Sequence, residues 1–95
     1  MPAKSIHKDE YSVLLRRLRA LRTTAGLTQV ELSAALQRPQ SYVSDVERGS
    51  RRMDLLQLRE LCNACGQSLT EFVDEFEQEL AQIRPIRRPP KQPPR

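Results

Sequence analysis

The stretch between Gly26 and Gly49 limits most strongly what this chain can fold into. It holds two short segments with apolar residues at helical spacing, separated by a break at residues 37–39. Thr28 and Glu31 have the T-x-x-E spacing of a capping box, so the first of two helices is expected to begin at Thr28. Its inner face is expected to contain four apolar residues: Val30, Leu32, Ala35 and Leu36. The segment therefore predicts a short helix packed on a small core.

The second segment predicts a helix over residues 39–48. Pro39 lacks a backbone N–H, but its fixed φ suits the first position of a helix, and Gly49 suits the position just after the last turn. Val43 and Val46 lie three residues apart and point inward together. Three polar residues point outward: Gln40, Ser41 and Ser44. The pattern thus indicates two helices joined by a tight turn, with a polar outer face on the second.

Three further helices are expected around this pair. The first runs from about Glu10 to Thr24, with an apolar stripe formed by Val13, Leu14, Leu18 and Leu21. The fourth starts at Asp54, where Gln57 completes a capping-box spacing, and ends at Gly66. Its inner face is expected to contain Leu55, Leu58, Leu61, Cys62 and Cys65.

The fifth helix opens with the capping-box pair Ser68 and Glu71 and carries a long apolar stripe. The stripe consists of Leu69, Phe72, Val73, Phe76, Leu80 and Ile83. Four acidic residues are expected to cover its outside: Asp74, Glu75, Glu77 and Glu79. We therefore predict an all-α, five-helix domain over residues 10–83, with a flexible arm at 1–9 and a disordered, basic, proline-rich tail at 84–95.

Length and composition exclude several classes of protein. A chain of 95 residues makes one domain, and no apolar run approaches the ~20 residues of a membrane span. The N-terminus lacks the hydrophobic segment of a signal peptide, so we expect no membrane partner and a cytoplasmic location. With one His, no glycine-rich phosphate loop and no pairing of nucleophile and base, the chain is expected not to be an enzyme, and no cofactor is expected.

Charge is divided unevenly along the chain, although the net charge is only +4. Residues 11–52 hold eight Arg against three acids, whereas residues 53–83 hold one Arg against seven acids. The tail at 84–95 is basic again, with four Arg and one Lys. This asymmetry favours one face that meets phosphates while the acidic half faces elsewhere, and ordinary solvated charge is the alternative.

Three segments together resemble a known family: LRALRTTAGLTQVEL, SYVSDVERG and LLQLRELCNACGQSL. From about residue 14 to residue 80 they are similar, in order and spacing, to the helix-turn-helix family of lambda-type Cro and repressor proteins, also called the XRE family. The resemblance implies a compact lambda-repressor-like fold and sequence-specific binding to double-stranded DNA. Residues 39–48 would then form the helix that enters the major groove.

The resemblance also implies roles for individual residues. Arg22 would reach Glu47 at the end of the recognition helix and aim one guanidinium edge at a phosphate, with a solvated Arg as the alternative. Gln29 would brace the recognition helix and touch the DNA backbone. Gln40 would read a base, since a Gln amide can pair with the N7 and N6 edge of adenine.

The remaining DNA-contact candidates flank these residues. Ser41 and Ser44 offer hydroxyl groups to phosphates or bases, and Tyr42 either contacts DNA or packs inward. Asp45 would be repelled by DNA unless it accepts from cytosine or pairs with Arg48. Three arginines are placed to hold phosphates: Arg48, Arg51 and Arg52.

Two positions depart from the family pattern. Gln37 stands where Gly is usual, so it has to adopt a positive φ. Pro39 replaces the usual Ser or Thr cap before the recognition helix. Both departures leave the geometry of the turn open.

Cys62 and Cys65 form a C-x-x-C pair, which can indicate zinc or redox chemistry. There is no second Cys pair, no nearby His and no alternation of strands with helices, so we predict that both are core residues and that the chain has no metal site.

The function predicted from the sequence is a small transcriptional regulator that acts as a homodimer on a two-fold symmetric operator, with repression as the simplest mechanism. Phe76, Leu80 and Ile83 are the candidate dimer contacts. Two alternatives stay open: the antitoxin of a toxin–antitoxin pair, and a protein-interaction module that keeps the fold without reading DNA. No separate ligand domain is evident, so the sequence gives no support for regulation by a small molecule.

Overall fold

Five α-helices make up most of residues 8–83, the part of the chain that this computed structural model describes. They are α1 (Lys8–Thr24), α2 (Gln29–Ala35), α3 (Tyr42–Glu47), α4 (Leu55–Ala64) and α5 (Leu69–Ile83). No strand occurs between residues 8 and 83, which confirms the all-α prediction, and no helix there is long and apolar enough to cross a membrane. Residues 1–7 and 84–95, which hold most of the predicted arm and the whole tail, lie outside the described residues.

Two helix boundaries differ from the sequence prediction. α1 begins at Lys8, so residues 8 and 9 belong to the helix and not to the arm. α3 begins at Tyr42 and not at Pro39, because the chain first makes a turn in which the Tyr42 N–H donates to the Pro39 carbonyl (2.9 Å). Ser41 is the N-cap of α3, and its carbonyl accepts the first bond of the helix, from Asp45 N (2.9 Å).

All three predicted capping boxes are confirmed. The Thr28 hydroxyl accepts from Glu31 N (3.0 Å), and the Glu31 carboxylate accepts from Thr28 N (2.8 Å). Asp54 and Gln57 make the same reciprocal pair before α4. So do Ser68 and Glu71 before α5. Ser41 differs, because its side chain makes no capping bond.

Each of the first four helices ends in the same backbone motif, with a left-handed residue just past the last turn. Three of these residues are Gly, but after α2 the residue is Gln37, at φ 56°. Its N–H donates to Ala34 (2.9 Å), and the following Arg38 N–H donates to Ser33 (3.0 Å). The predicted positive φ at Gln37 is therefore confirmed, and it carries the strain of a left-handed residue with a side chain.

The core lies where the inner faces of all five helices meet. Its members are Leu18, Leu21, Leu32, Tyr42, Val43, Val46, Leu61, Cys62 and Phe72. Three predictions of inward-facing residues were wrong, since Val30 (48% exposed), Ala35 and Leu55 (65% exposed) face solvent. Val30 is two residues from the buried Leu32, so on a helix it points to the other side. For Leu55, periodicity gives the direction of a side chain but not how far the neighbouring helices extend.

α5 packs along α1, and two of its acids contact arginines of α1. Arg17 pairs with Glu75 (2.7 Å) and approaches Glu79 (3.9 Å), and Arg16 also pairs with Glu79. The prediction that Glu75 and Glu79 cover the outside of α5 was therefore wrong. These acids offset the charge of two arginines in the basic half of the chain.

Candidate nucleic-acid interface

A buried ion pair joins α1 to the last turn of α3. Arg22 Nε donates to Glu47 Oε2 (2.7 Å), and Arg22 Nη2 donates to Glu47 Oε1 (3.1 Å). The two side chains are only 10% and 7% exposed. The hydrogen bond to Glu47 raises the pKa of the Arg22 guanidinium, which therefore stays charged at neutral pH. The predicted Arg22–Glu47 pair is confirmed.

The third nitrogen of Arg22 also has a protein partner. Nη1 donates to the carbonyl of Leu27 (2.9 Å), in the loop between α1 and α2. A guanidinium that is buried and bonded on every nitrogen has little surface left for a phosphate. The expectation that Arg22 turns one edge to the DNA is therefore corrected: its contacts fix the positions of α1, the loop and α3.

Gln29 and Ser33 tie α2 to α3 from the other direction. Gln29 Nε2 donates to Glu47 Oε1 (2.9 Å), so Gln29 braces α3 as the resemblance implied. The fully buried Ser33 hydroxyl accepts from the backbone N–H of Val43 (3.1 Å). Sequence reasoning missed Ser33, although a small polar residue beside Leu32 on the buried side of α2 was a usable signal.

The predicted outward residues lie together at the start of α3. Gln40 and Ser41 are exposed and occupy the turn that leads into the helix, and Ser44 is half-buried one turn later. The Ser44 hydroxyl donates to the Ser41 carbonyl (3.1 Å), which leaves its oxygen lone pairs as acceptors. The exposed Gln40 side chain makes no hydrogen bond among residues 8–83, so its amide oxygen and its NH2 group are both open to a ligand.

Tyr42 belongs to the core and not to the outer face. It is 3% exposed, and the guanidinium carbons of Arg38 and Arg51 lie 5.2 Å and 5.0 Å from its ring centroid. Its inclusion among the DNA contacts is therefore corrected: the ring points inward and supports two arginines at the surface. Arg38 was not singled out from the sequence, and it also approaches Glu60 (3.5 Å).

The three phosphate-contact candidates are all exposed. Arg48, the C-cap of α3, pairs with Asp45, which is one of the two alternatives predicted for that acid. Arg51 lies over Tyr42, and Arg52 lies over the ring of Tyr11, with 4.4 Å from the guanidinium carbon to the centroid. The ring contacts restrict both arginines while leaving their N–H groups available to an anion. Tyr11 was missed because nothing local in the sequence links α1 to the loop after α3.

Comparison with known proteins now identifies this arrangement. A family model described as a helix-turn-helix domain matches residues 13–74. The chain belongs to the helix-turn-helix domain family. The motif is the α2–turn–α3 unit, in which Glu47 of α3 is bonded by Gln29 of α2 and by Arg22 of the preceding helix α1. At the level of the family, the chain is a DNA-binding regulator.

Two similar proteins support the same assignment for this helix-turn-helix protein. This chain is 43% identical over 53 residues to the uncharacterized HTH-type transcriptional regulator y4dJ of Sinorhizobium fredii. The match covers 56% of this chain and 69% of that protein. This chain also resembles an XRE-family like protein of Pseudomonas syringae pv. tomato str. DC3000, with 38% identity and a TM-score of 0.72. That match covers 78% of this chain and 90% of the other, which confirms the XRE-like fold.

The two cysteines of this helix-turn-helix protein lie at the end of α4. Cys62 is fully buried, and burial raises the pKa of its thiol to about 11. Cys65 is half-buried, and burial raises the pKa of its thiol as well. Both are free thiols, and residues 8–83 contain no cluster of His, Cys, Asp and Glu able to hold a metal ion. Cys62 is a member of the core and Cys65 packs against it, in agreement with the prediction of core residues. Thiols with raised pKa values are also poor nucleophiles.

The second half of α5 leaves part of its apolar stripe uncovered. Phe72 is buried at 1% exposure, but Val73 and Ile83 are 37% and 43% exposed. Phe76 and Leu80 lie between them and are half-buried. The helix-turn-helix core therefore uses the start of α5 and leaves a partly open apolar face towards its end.

Proposed function

We propose that this protein binds specific sequences of double-stranded DNA as a small transcriptional regulator, with α3 and the turn before it in the major groove. One observation carries the proposal. The inner side of α3 is bonded to Arg22, Gln29 and Ser33, whereas the outer side presents Gln40, Ser41 and Ser44 without a competing helix. A rigid helix with open polar groups is what base reading requires.

In the proposed complex, Gln40 reads an adenine through its amide, with Ser41 and Ser44 contacting bases or phosphates nearby. Arg48, Arg51 and Arg52 hold phosphates and fix the register of the protein on the duplex. Contacts with phosphates add affinity but no sequence information. Repression is the simplest consequence, because a protein bound at a promoter blocks access to it.

The proposed regulator acts as a homodimer through the uncovered face of α5. Val73, Phe76, Leu80 and Ile83 recur at intervals of three and four residues, as in a helix that packs against another helix. Two copies related by a two-fold axis would read half-sites about 34 Å apart, one turn of DNA. The operator is then expected to be a palindrome.

A second candidate function is binding of a partner protein, as in an antitoxin or an interaction module. The observation that favours it is the same face of α5, where the exposed acids Asp74 and Glu77 lie beside the apolar stripe. Two copies meeting there would bring acid near acid, whereas a basic partner would not. DNA contact through α3 is compatible with a partner protein on α5, whereas the homodimer is not, because it would use the same face of α5.

Selection from a random library of duplex DNA tests the main proposal, with the mass of the protein in solution measured alongside. The expected result is a palindromic motif, a dimeric mass, and affinity that falls steeply with salt because phosphate contacts release counterions. Recovery of no motif at low salt would refute sequence-specific binding. A monomeric mass, with a single half-site recovered, would refute the dimer alone.

A further inference from the structure

A small cavity lies between the reading helix and the first helix, beside the proposed phosphate contacts. It has a volume of about 170 Å³ and opens to solvent on one side. Apolar side chains from α1, α3, α4 and the loop before α4 form its wall: Leu14, Leu18, Val46, Met53 and Leu58. Leu18 and Val46 are each 2% exposed, so the floor of the cavity belongs to the core.

The size and lining suit one small ring. An apolar cavity of about 150 Å³ in another protein stays dry and binds benzene, so a cavity of this size can hold a single six-membered ring. The ring of Tyr11 adds a flat aromatic edge to the lining.

The opening of the cavity is cationic. Arg51 and Arg52 both line it, and both are exposed. Each is placed by an aromatic ring, and no carboxylate among residues 8–83 pairs with either one. A guanidinium held in this way is ready to bond a carboxylate, for which its N–H groups have the right geometry.

We propose that this cavity binds a small organic acid, with an apolar body of about one ring in the cavity and its carboxylate on Arg51 and Arg52. Such a ligand would compete with DNA, because it would occupy the arginines assigned to phosphates. The competition rests on the proposed DNA-binding function, whereas the cavity and its ligand do not. The protein would then sense an aromatic or alicyclic acid within the domain that reads DNA.

Benzoate is the probe for the first test, in which the full chain is titrated without DNA and followed by NMR. Saturable shifts are expected at the Met53 methyl group and the Arg52 side chain, with a Kd below about 10 mM, within the range of weak small ligands. Acetate lacks the ring and benzamide lacks the charge, so each is expected to bind at least about tenfold more weakly. No saturation by benzoate, or equal binding of benzamide, would overturn the proposal.

Two variants locate the site. Met53→Trp is expected to fill the cavity and abolish the benzoate shifts, with retained helical circular dichroism showing that it folds. Arg52→Gln, at an exposed position, is expected to weaken benzoate about tenfold while leaving benzamide unchanged. Undiminished benzoate binding in both variants would place the ligand elsewhere and overturn the assignment.

DNA competition tests the coupling. Benzoate at five times its Kd is expected to weaken operator binding about sixfold for each subunit bound, and so about 36-fold for a dimer, relative to sodium chloride at equal ionic strength, if the two ligands exclude each other. An unchanged DNA affinity with the cavity occupied would overturn the competition. If the wild type binds no DNA at all, the proposed function fails, while the DNA-free titration still decides the cavity site.

Discussion

The inner and outer sides of α3 differ in how their polar groups are satisfied. On the inner side, Glu47 accepts three hydrogen bonds from Arg22 and Gln29, and the Val43 N–H donates to Ser33. On the outer side, the Gln40 and Ser41 side chains are exposed, and Ser41 makes no capping bond although it is the N-cap. The polar groups on the inner side of this short helix are thus bonded within the protein, whereas those on the outer side are exposed.

This difference separates stability from recognition. A six-residue helix is too short to persist by itself, so its orientation has to come from contacts with the rest of the domain. The inner network supplies those contacts and uses up the polar groups that take part. The outer groups contribute little to folding and stay available for DNA, so changes on the two sides are expected to have different consequences.

The largest expected effect is on the inner side, from Glu47→Ala. It removes the partner of the buried Arg22 and leaves that charge unpaired, so the free energy of unfolding should fall by about 3–5 kcal/mol. Urea denaturation measures the loss. The matched control is Asp45→Ala, which removes the partner of the exposed Arg48 and should cost less than about 1 kcal/mol. Equal losses in the two variants would contradict the assigned role of the inner network.

On the outer side, Gln40→Ala should leave stability unchanged and reduce discrimination at one base pair of the operator. The expected loss is about 1–3 kcal/mol of preference, which corresponds to one bidentate base contact. Binding to the operator and to its single-base-pair variants measures it. Gln82→Ala, an equivalent change at an exposed position near the end of α5, should have no effect. A uniform loss of affinity for all sequences would assign Gln40 to the backbone instead.

Two N-cap residues, Asp54 and Ser41, allow the same comparison between a bonded and an open side chain. Asp54→Ala removes a side chain that accepts from Gln57 N (2.8 Å), and it should destabilise the domain by about 1 kcal/mol. Ser41→Ala removes no capping bond and should change stability by less than about 0.5 kcal/mol. Thermal unfolding of the DNA-free protein compares the two. A larger cost for Ser41→Ala would show that the start of α3 is not open.

The smallest expected effect is a gain in stability from Gln37→Gly. Gly adopts the left-handed conformation without strain, but it also makes the unfolded chain more flexible, so the net gain should be about 0.5 kcal/mol. Chemical denaturation at closely spaced urea concentrations resolves a change of this size. A loss of stability would mean that the Gln37 side chain makes contacts that outweigh the strain of its backbone.

Much of the fold could be predicted from the sequence, because its signals are local. The capping boxes at Thr28, Asp54 and Ser68 are patterns of four residues, and all three are present as expected. The positive φ at Gln37 followed from the family pattern, as did the Arg22–Glu47 pair. The capping boxes depend only on local spacing, and the other two features depend on the family motif. None of these predictions required a calculation of how distant helices pack.

The contacts that sequence reasoning missed join residues far apart in the chain. Arg17 and Glu75 are 58 positions apart, so the charge pattern predicted that α5 is acidic but not which residues its acids contact. Tyr42 lies between the outward residues Ser41 and Ser44 in the sequence, and only the packing of α3 shows that its ring lies inside. The start of α3 was placed too early because Pro39 fits both a helix and the turn that the chain actually makes there.

The most direct test of a reading function for the outer side of α3 replaces adenines of the operator one at a time with 7-deazaadenine, which lacks the N7 acceptor. The wild type should lose about 1 kcal/mol or more of binding free energy at one position in each half-site. Gln40→Ala should show no loss at that position, because the contact is already absent. Equal losses in the wild type and in Gln40→Ala would contradict the assignment of base reading to this side of the helix.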